Sequence, residues 1–217
     1  MLMMKLLIML LSILILVGCN QGNVPTTKTI TDINTSEVIE TVTPQQSHLL
    51  IEWNFDAMDR GNHDFNTVSH SELVVEPYNG KLQRGDVIYY QMLDSELKKN
   101  KNLPQMYLGR VVGLPGETVK ITNGQVYIND KKLDTFYGVA TSLGLKKEDY
   151  FETVNPNNMN KEEMEKHFNT SMAPIQVEEN TVFVLVDMWW RGTDSNDFGL
   201  LPVENIQGKV LGYKEES

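Results

Sequence analysis

The chain lacks most of the features that usually advertise a function. It has one cysteine in 217 residues, which excludes an internal disulfide framework and any metal site built on several cysteines. Basic residues are scarce, 19 against 29 acidic, for a formal net charge of −10 and a pI of about 4.9. So acidic a chain is a poor electrostatic partner for a polyphosphate, and no nucleic-acid partner is expected. Its four histidines, His48, His63, His70 and His167, show neither helical nor paired ligand spacing, so no metal and no cofactor is expected. Aromatic residues make up 8%. No internal repeat is visible. What remains is one domain of ordinary size with an appendage, long enough to build a core without covalent staples.

The appendage is at the N-terminus. "MLMMKLLIMLLSILILVGC" carries one positive charge at Lys5, then an apolar run from Leu6 to Val17. A membrane span needs roughly 20 apolar residues, so this shorter run reads as the core of a secretory signal. It ends in Leu16-Val17-Gly18-Cys19, which resembles the lipobox of bacterial lipoproteins. The resemblance implies a signal peptide over residues 1–18, cleavage before Cys19 and a diacylglycerol on its sulfur. The protein is then held on the outer face of the bacterial cytoplasmic membrane, and more than one acyl chain makes such anchorage stable. An uncleaved anchor helix ending at Cys19 is the alternative; it also leaves the rest of the chain outside. Residues 19–47 are rich in Thr, Asn and Gln, with no aromatic residue and no period that would bury a face. They predict a flexible stalk.

From His48 the texture changes. Strand-like runs follow at 48–55, 72–77, 84–93, 106–114, 117–133, 181–190 and 208–213, rich in Val, Ile and Tyr and bounded by Gly, Pro, Asn and Asp. Asn123-Gly124 is a strong hairpin signal, and a second turn is expected at Asn129-Asp130. Residues 141–168 are charged, with a helical turn or two over Lys161–Phe168. The pattern predicts a mainly β domain over 48–213 with a small mixed α/β insertion at about 134–175, a sandwich or barrel rather than a parallel sheet.

Three segments go further. "RGDVIYY" (84–90), "YLGRVVGLPGETVKITNGQVYIND" (107–130) and "DMWWRGTDSNDFGLLPVENIQGKVLGY" (187–213) stand in the order and spacing of type I signal peptidases, the serine–lysine S26 family, which this domain resembles. "VEENTVFVLVD" (177–187) is similar to the segment that leads into the family's last motif. The resemblance implies a largely β catalytic core with a smaller inserted β-rich part, and a membrane-facing apolar surface near the groove. It also implies a chemistry. A serine hydroxyl attacks a peptide carbonyl, a neutral lysine in an apolar pocket takes its proton, and backbone N–H groups hold the oxyanion. A second hydroxyl orients the lysine.

Carried over residue by residue, that chemistry has no bearer. The family lysine immediately precedes the arginine of Arg-Val-Val-Gly-Leu-Pro-Gly; here Gly109 precedes Arg110. In "FDAMDRG" (55–61), Ala57-Met58 stands where the family has Ser-Met. The last family motif runs Gly-Asp-Asn-Arg, then Ser, then Asp-Ser-Arg and Phe-Gly. "VDMWWRGTDSNDFG" (186–199) matches it at Asp187, Asp194, Ser195, Phe198 and Gly199 and departs at Val186, Met188, Trp189, Gly192 and Asn196. Gly192 occupies the place of the lysine-orienting serine. Arg110, Asp187, Asp194 and Ser195 read as scaffold, the last two satisfying backbone groups in a turn.

Other residues offer substitutes. Ser69 and Ser71 read as loop serines. Ser171 in "NTSMAP" (169–174) imitates the nucleophile motif in the wrong order along the chain. Lys81, Lys98, Lys99 and Lys101 read as solvated, Lys120 lies in the strand after the arginine motif with its direction open, and sequence neighbours such as His63-Asp64, as a pair serving Ser69 or Ser71, rarely form a triad. Trp189 and Trp190, if on a strand, face opposite sides. The exposed one would touch a bilayer interface or a peptide, but packing of both over the turn at Arg191-Gly192 is expected. The expectation is a signal-peptidase-I-like lipoprotein, a pseudoenzyme that binds an extended peptide, exported protein or envelope protein in the family groove. The alternatives are an active S26-type endopeptidase that processes exported proteins with a relocated base, and a purely structural role at the envelope.

Overall fold

The computed structural model describes residues 28–216; Cys19 and the signal segment lie outside them. In chain order the strands are β1 (Thr29–Thr31), β2 (Thr41–Val42), β3 (Leu49–Ile51), β4 (Leu73–Pro77), β5 (Val87–Gln91), β6 (Met106–Gly113), β7 (Thr118–Thr122), β8 (Gln125–Ile128), β9 (Lys131–Asp134), β10 (Met172–Gln176), β11 (Thr181–Leu185), β12 (Leu201–Pro202) and β13 (Ile206–Lys214). The helices are short: α1 (Asp94–Lys99), α2 (Lys147–Thr153), α3 (Lys161–Phe168) and α4 (Ser195–Phe198). The chain is mainly β, as expected, and α2 and α3 fall within the expected insertion.

Two sheets form. The larger runs β12-β11-β6-β5-β13-β4-β3, with β2 added to β13, and the smaller runs β1-β9-β8-β7-β10. The two turns read from the sequence shape the smaller sheet. Asn123 and Gly124 both take positive φ, 48° and 73°, as a two-residue turn matched to strand twist requires. Glycine is needed at 124 for space as well, since a Cβ there would lie 2.4 Å from the Phe168 carbonyl oxygen.

Period-2 alternation explains the apolar runs at the centre. Val111 of β6 and Val184 of β11 join one core with Trp53, Met58, Ile88, Tyr90 and Leu108. Their neighbours Val112, Phe183 and Leu185 join the other, with Val119, Ile121, Val126, Ile128 and Phe168. A strand buried on both faces carries apolar residues without a break, and these two strands therefore separate the cores.

Two expectations need correction. Residues 28–47 are not a flexible stalk: β1 pairs parallel with β9, and β2 pairs parallel with β13. Between them Asp32 accepts from the Tyr137 hydroxyl at 2.6 Å, and the Glu37 carbonyl accepts from Arg60. The segment straps the smaller sheet to the larger one. Backbone pairing and side-chain hydrogen bonds hold it, with only Ile30 and Ile39 packed on the cores, so no buried period marks it in the sequence. The second correction concerns 181–190, where the strand stops at Leu185 and Trp189–Arg191 forms a 3-10 turn. Asp187 and Asp194 draw this chain inward through the bonds described below. The tryptophans therefore do not alternate on a strand. Nor do both pack over the turn, the arrangement expected from the sequence: Trp189 is buried, whereas Trp190 is 47% exposed, with the Arg191 guanidinium 4.4 Å above its ring.

Candidate functional site

The site is framed by a buried ion pair. Arg110 on β6 reaches Asp187, just beyond β11, with Nε to Oδ1 at 2.7 Å and Nη2 to Oδ2 at 2.5 Å. Its Nη1 donates to the Gly85 carbonyl at 2.8 Å. Arg60 adds a second cation, its Nε 3.5 Å from Asp187 Oδ2, and both guanidinium groups lie over the Phe136 ring, at 4.5 and 5.0 Å. Burial pulls the Arg110 pKa down, but the charge and hydrogen bonds of Asp187 outweigh it and hold the group above its ordinary value.

Asp194 and Ser195 serve backbone, as their turn position implies. Asp194 accepts from the N–H groups of Val186 at 3.0 Å and Asn196 at 2.8 Å. Asp197 accepts from the Asp194 N–H at 3.0 Å, completing a capping box at the start of α4. Ser195 Oγ accepts from the Val184 N–H at 2.9 Å. Burial pushes the Asp194 carboxyl up to about 7, against the downward pull of the Asn196 and Val186 N–H groups.

Ala57 and Gly192 meet. A Cβ on Gly192 would lie 3.0 Å from the Ala57 Cβ, and the Met188 N–H donates to the Ala57 carbonyl at 2.9 Å. Gly109 on β6 stands opposite Ile88 of β5. A Cβ there would meet the Tyr90 ring edge at 3.3 Å, the Leu185 carbonyl oxygen at 3.6 Å and the Tyr90 hydroxyl at 3.7 Å. Tyr90 is buried, and its hydroxyl has no hydrogen-bond partner among the described residues. Burial, with the nearby Asp194 charge and Tyr107, lifts its pKa well above the tyrosine range. Tyr107 joins the two halves: its ring lies 6.0 Å from that of Tyr90, and its hydroxyl accepts from the N–H of Thr193, beside Gly192, at 3.2 Å.

The substitutes lie elsewhere. Ser71 donates to the Lys214 backbone carbonyl at 2.5 Å, and Ser69 is exposed. Ser171 accepts from the Asn123 N–H at 3.0 Å and donates to the Asn169 carbonyl at 3.2 Å, a turn role on the smaller sheet. The Lys120 amine bonds Asp130 at 2.6 Å. Lys81, Lys98, Lys99 and Lys101 are exposed. His63 faces Asp59 at 3.6 Å, while Asp64 faces Arg60 at 3.5 Å. Among the described residues, no serine hydroxyl is hydrogen-bonded to a lysine amine or a histidine ring. Arg60, Tyr90, Tyr107 and Phe136 belong to this neighbourhood; the first three lie in segments that resemble the family motifs, but the sequence assigned none of the four a role.

The arginine–aspartate clamp, the capped turn after β11 and the turn between β6 and β7 at Leu114-Pro115-Gly116 all lie in the segments that resemble the family motifs. Residues 47–213 match the family described as signal peptidase, peptidase S26, and the chain belongs to that family. It is 31% identical to signal peptidase I S of Bacillus subtilis (strain 168) over 132 residues, 60% of this chain and 58% of that one. It is 28% identical to signal peptidase I of Leptolyngbya laminosa over 129 residues, 59% of this chain and 51% of that one. The chain thus spans between half and three-fifths of these relatives' length. A solved signal peptidase I from Enterococcus faecalis V583 is 23% identical, covering 61% of this chain and 98% of that chain at a TM-score of 0.41.

Proposed function

We propose that this protein is an extracytoplasmic, lipid-anchored member of the S26 family that no longer cleaves peptide bonds and instead binds an extended peptide or an envelope protein. One observation carries the reading. The positions that the family gives to nucleophile, base and base-orienting hydroxyl hold Ala57, Gly109 and Gly192. Loss of a general base alone removes on the order of 10²–10⁴-fold in rate, and loss of the nucleophile removes the covalent route altogether. An active enzyme with a relocated base needs a serine within reach of a lysine or histidine, and the described residues hold no such hydrogen bond.

Peptide binding makes smaller demands. Strand addition draws on main-chain groups and tolerates loss of catalytic side chains. Among the described residues, β11 pairs with β6 only at Arg110, Val111 and Gly113, and no strand pairs with Met106 to Gly109 on that side. Trp190 is half-exposed, with its ring against the Arg191 guanidinium, which is itself paired with Asp56. The test uses the full chain and peptides that span the C-terminal end of signal segments from exported precursors. Tryptophan fluorescence reads binding and mass spectrometry reads the peptide. Saturable binding with the peptide intact is expected; cleavage products, or no saturation, would overturn the reading. The anchor has its own test: labelling with a radioactive fatty acid is expected to mark the unaltered protein and not Cys19→Ser, and equal labelling of both, or labelling of neither, contradicts lipidation at Cys19.

A further inference from the structure

The contact between Val186 and Gly192 says more than that a hydroxyl is missing. In the family motif glycine precedes the aspartate and serine stands further along. Here Val186 precedes Asp187, and the later position is Gly192. A Cβ on Gly192 would lie 2.7 and 2.8 Å from the two γ-carbons of Val186, besides its 3.0 Å approach to Ala57. Separations this short are overlaps, so some group must shift. The Gly192 backbone, at φ −126° and ψ 175°, suits any residue, so conformation does not demand glycine there. Val186 has little freedom to retreat: it is buried at 1% exposure, and its N–H is held by Asp194 at 3.0 Å.

We propose that bulk and glycine have exchanged places across this contact, so that the Val186 isopropyl group fills the volume that the motif gives to the serine at position 192. Glycine at 192 is then a steric requirement of Val186. Val186 becomes the residue that decides whether the site admits the orienting hydroxyl. The loss of catalysis proposed above gives this exchange its meaning, and the exchange deepens it: the site is closed by packing as well as emptied of reactive groups. Restoring serine at 192 leaves its side chain obstructed until position 186 is made small.

A mutant cycle on the full chain tests this by thermal unfolding. Gly192→Ala adds only the Cβ and is expected to lower Tm by roughly 2–12 °C, the range for inserting one carbon into a packed core of this size. In a Val186→Ala background, which removes both γ-carbons, the same substitution is expected to leave Tm unchanged or raise it. An equal drop in both backgrounds, or no drop in either, overturns the proposal. Gly192→Ser in the two backgrounds repeats the comparison with the side chain the motif calls for. The two readings fail separately: cleavage of a precursor by the unaltered protein refutes the proposed loss of catalysis, whereas an additive cycle refutes the exchange alone.

Discussion

Replacing Arg110 by methionine tests the frame of the site. The substitution keeps the apolar stem and removes the guanidinium, leaving the Asp187 carboxylate with a side chain 1% exposed and Arg60 as its remaining cation at 3.5 Å. Breaking one partner of a buried pair costs about 3–5 kcal/mol, because an uncompensated charge is left behind. For a domain with about 5–15 kcal/mol of total stability, that is a large share. It corresponds to a Tm drop of roughly 6–20 °C at this chain length. Replacing both partners, Arg110→Met with Asp187→Leu, removes the stranded charge. The double variant is expected to be more stable than Arg110→Met alone, less whatever Arg60 and the Gly85 carbonyl lose. Urea unfolding followed by tryptophan fluorescence gives the three free energies by linear extrapolation. The deficit of Arg110→Met should also persist at high salt, since buried pairs are weakly screened. A cost below about 1 kcal/mol, the range of exposed pairs, would refute the burial argument.

Other residues give independent tests. Asp194 has a carboxyl pKa raised from 3.8 to about 7, so it holds its proton better folded than unfolded. Its contribution to stability is greatest at low pH and is lost as pH rises between about 4 and 7. Tm should therefore fall from about pH 5 to pH 8 in the unaltered protein and fall less in Asp194→Asn; an equal fall in both contradicts the assignment. Tyr90→Phe deletes a buried hydroxyl that has no partner among the described residues and should be neutral or stabilising by about 1 kcal/mol; a loss of that size in the urea midpoint would reveal a partner. Tyr137→Phe removes the bond to Asp32 and should cost about 1.5–3 kcal/mol, as hydrogen bonds to charged groups do, and should speed protease cleavage between residues 32 and 40. Unchanged stability and protease resistance would mean that the strap is not held there.

How much of this was legible in the sequence depended on where the determining interactions lie. Asn123-Gly124 and Asn129-Asp130 announced their turns because turn chemistry is local, requiring positive φ at those residues. The alternation of Val111 with Val112 and of Phe183 with Val184 is likewise local, although it takes the second core to explain why neither face is polar. Asp194 and Ser195 were readable as turn scaffold from their short spacing. Arg60, Phe136 and Tyr107 were not, because their partners are distant in the chain and no periodicity links them. The strap over 28–47 was hidden for a different reason: edge strands held by backbone pairing leave no apolar stripe. The end of β11 at Leu185 was misread because Val186 and Met188 continue the apolar run, while the turn is imposed by ionic and capping bonds of Asp187 and Asp194. At Gly192 the sequence shows only a missing serine; the overlap with Val186 exists only in three dimensions.

The most direct measurement of the central claim is precursor processing by the full-length protein reconstituted in lipid vesicles. An exported precursor is incubated at several enzyme concentrations, and any products are identified by mass spectrometry. With Ala57, Gly109 and Gly192 at the three positions, the precursor should remain intact at the background rate. Concentration-dependent cleavage at one bond, abolished by a single serine-to-alanine substitution elsewhere in the chain, would contradict it.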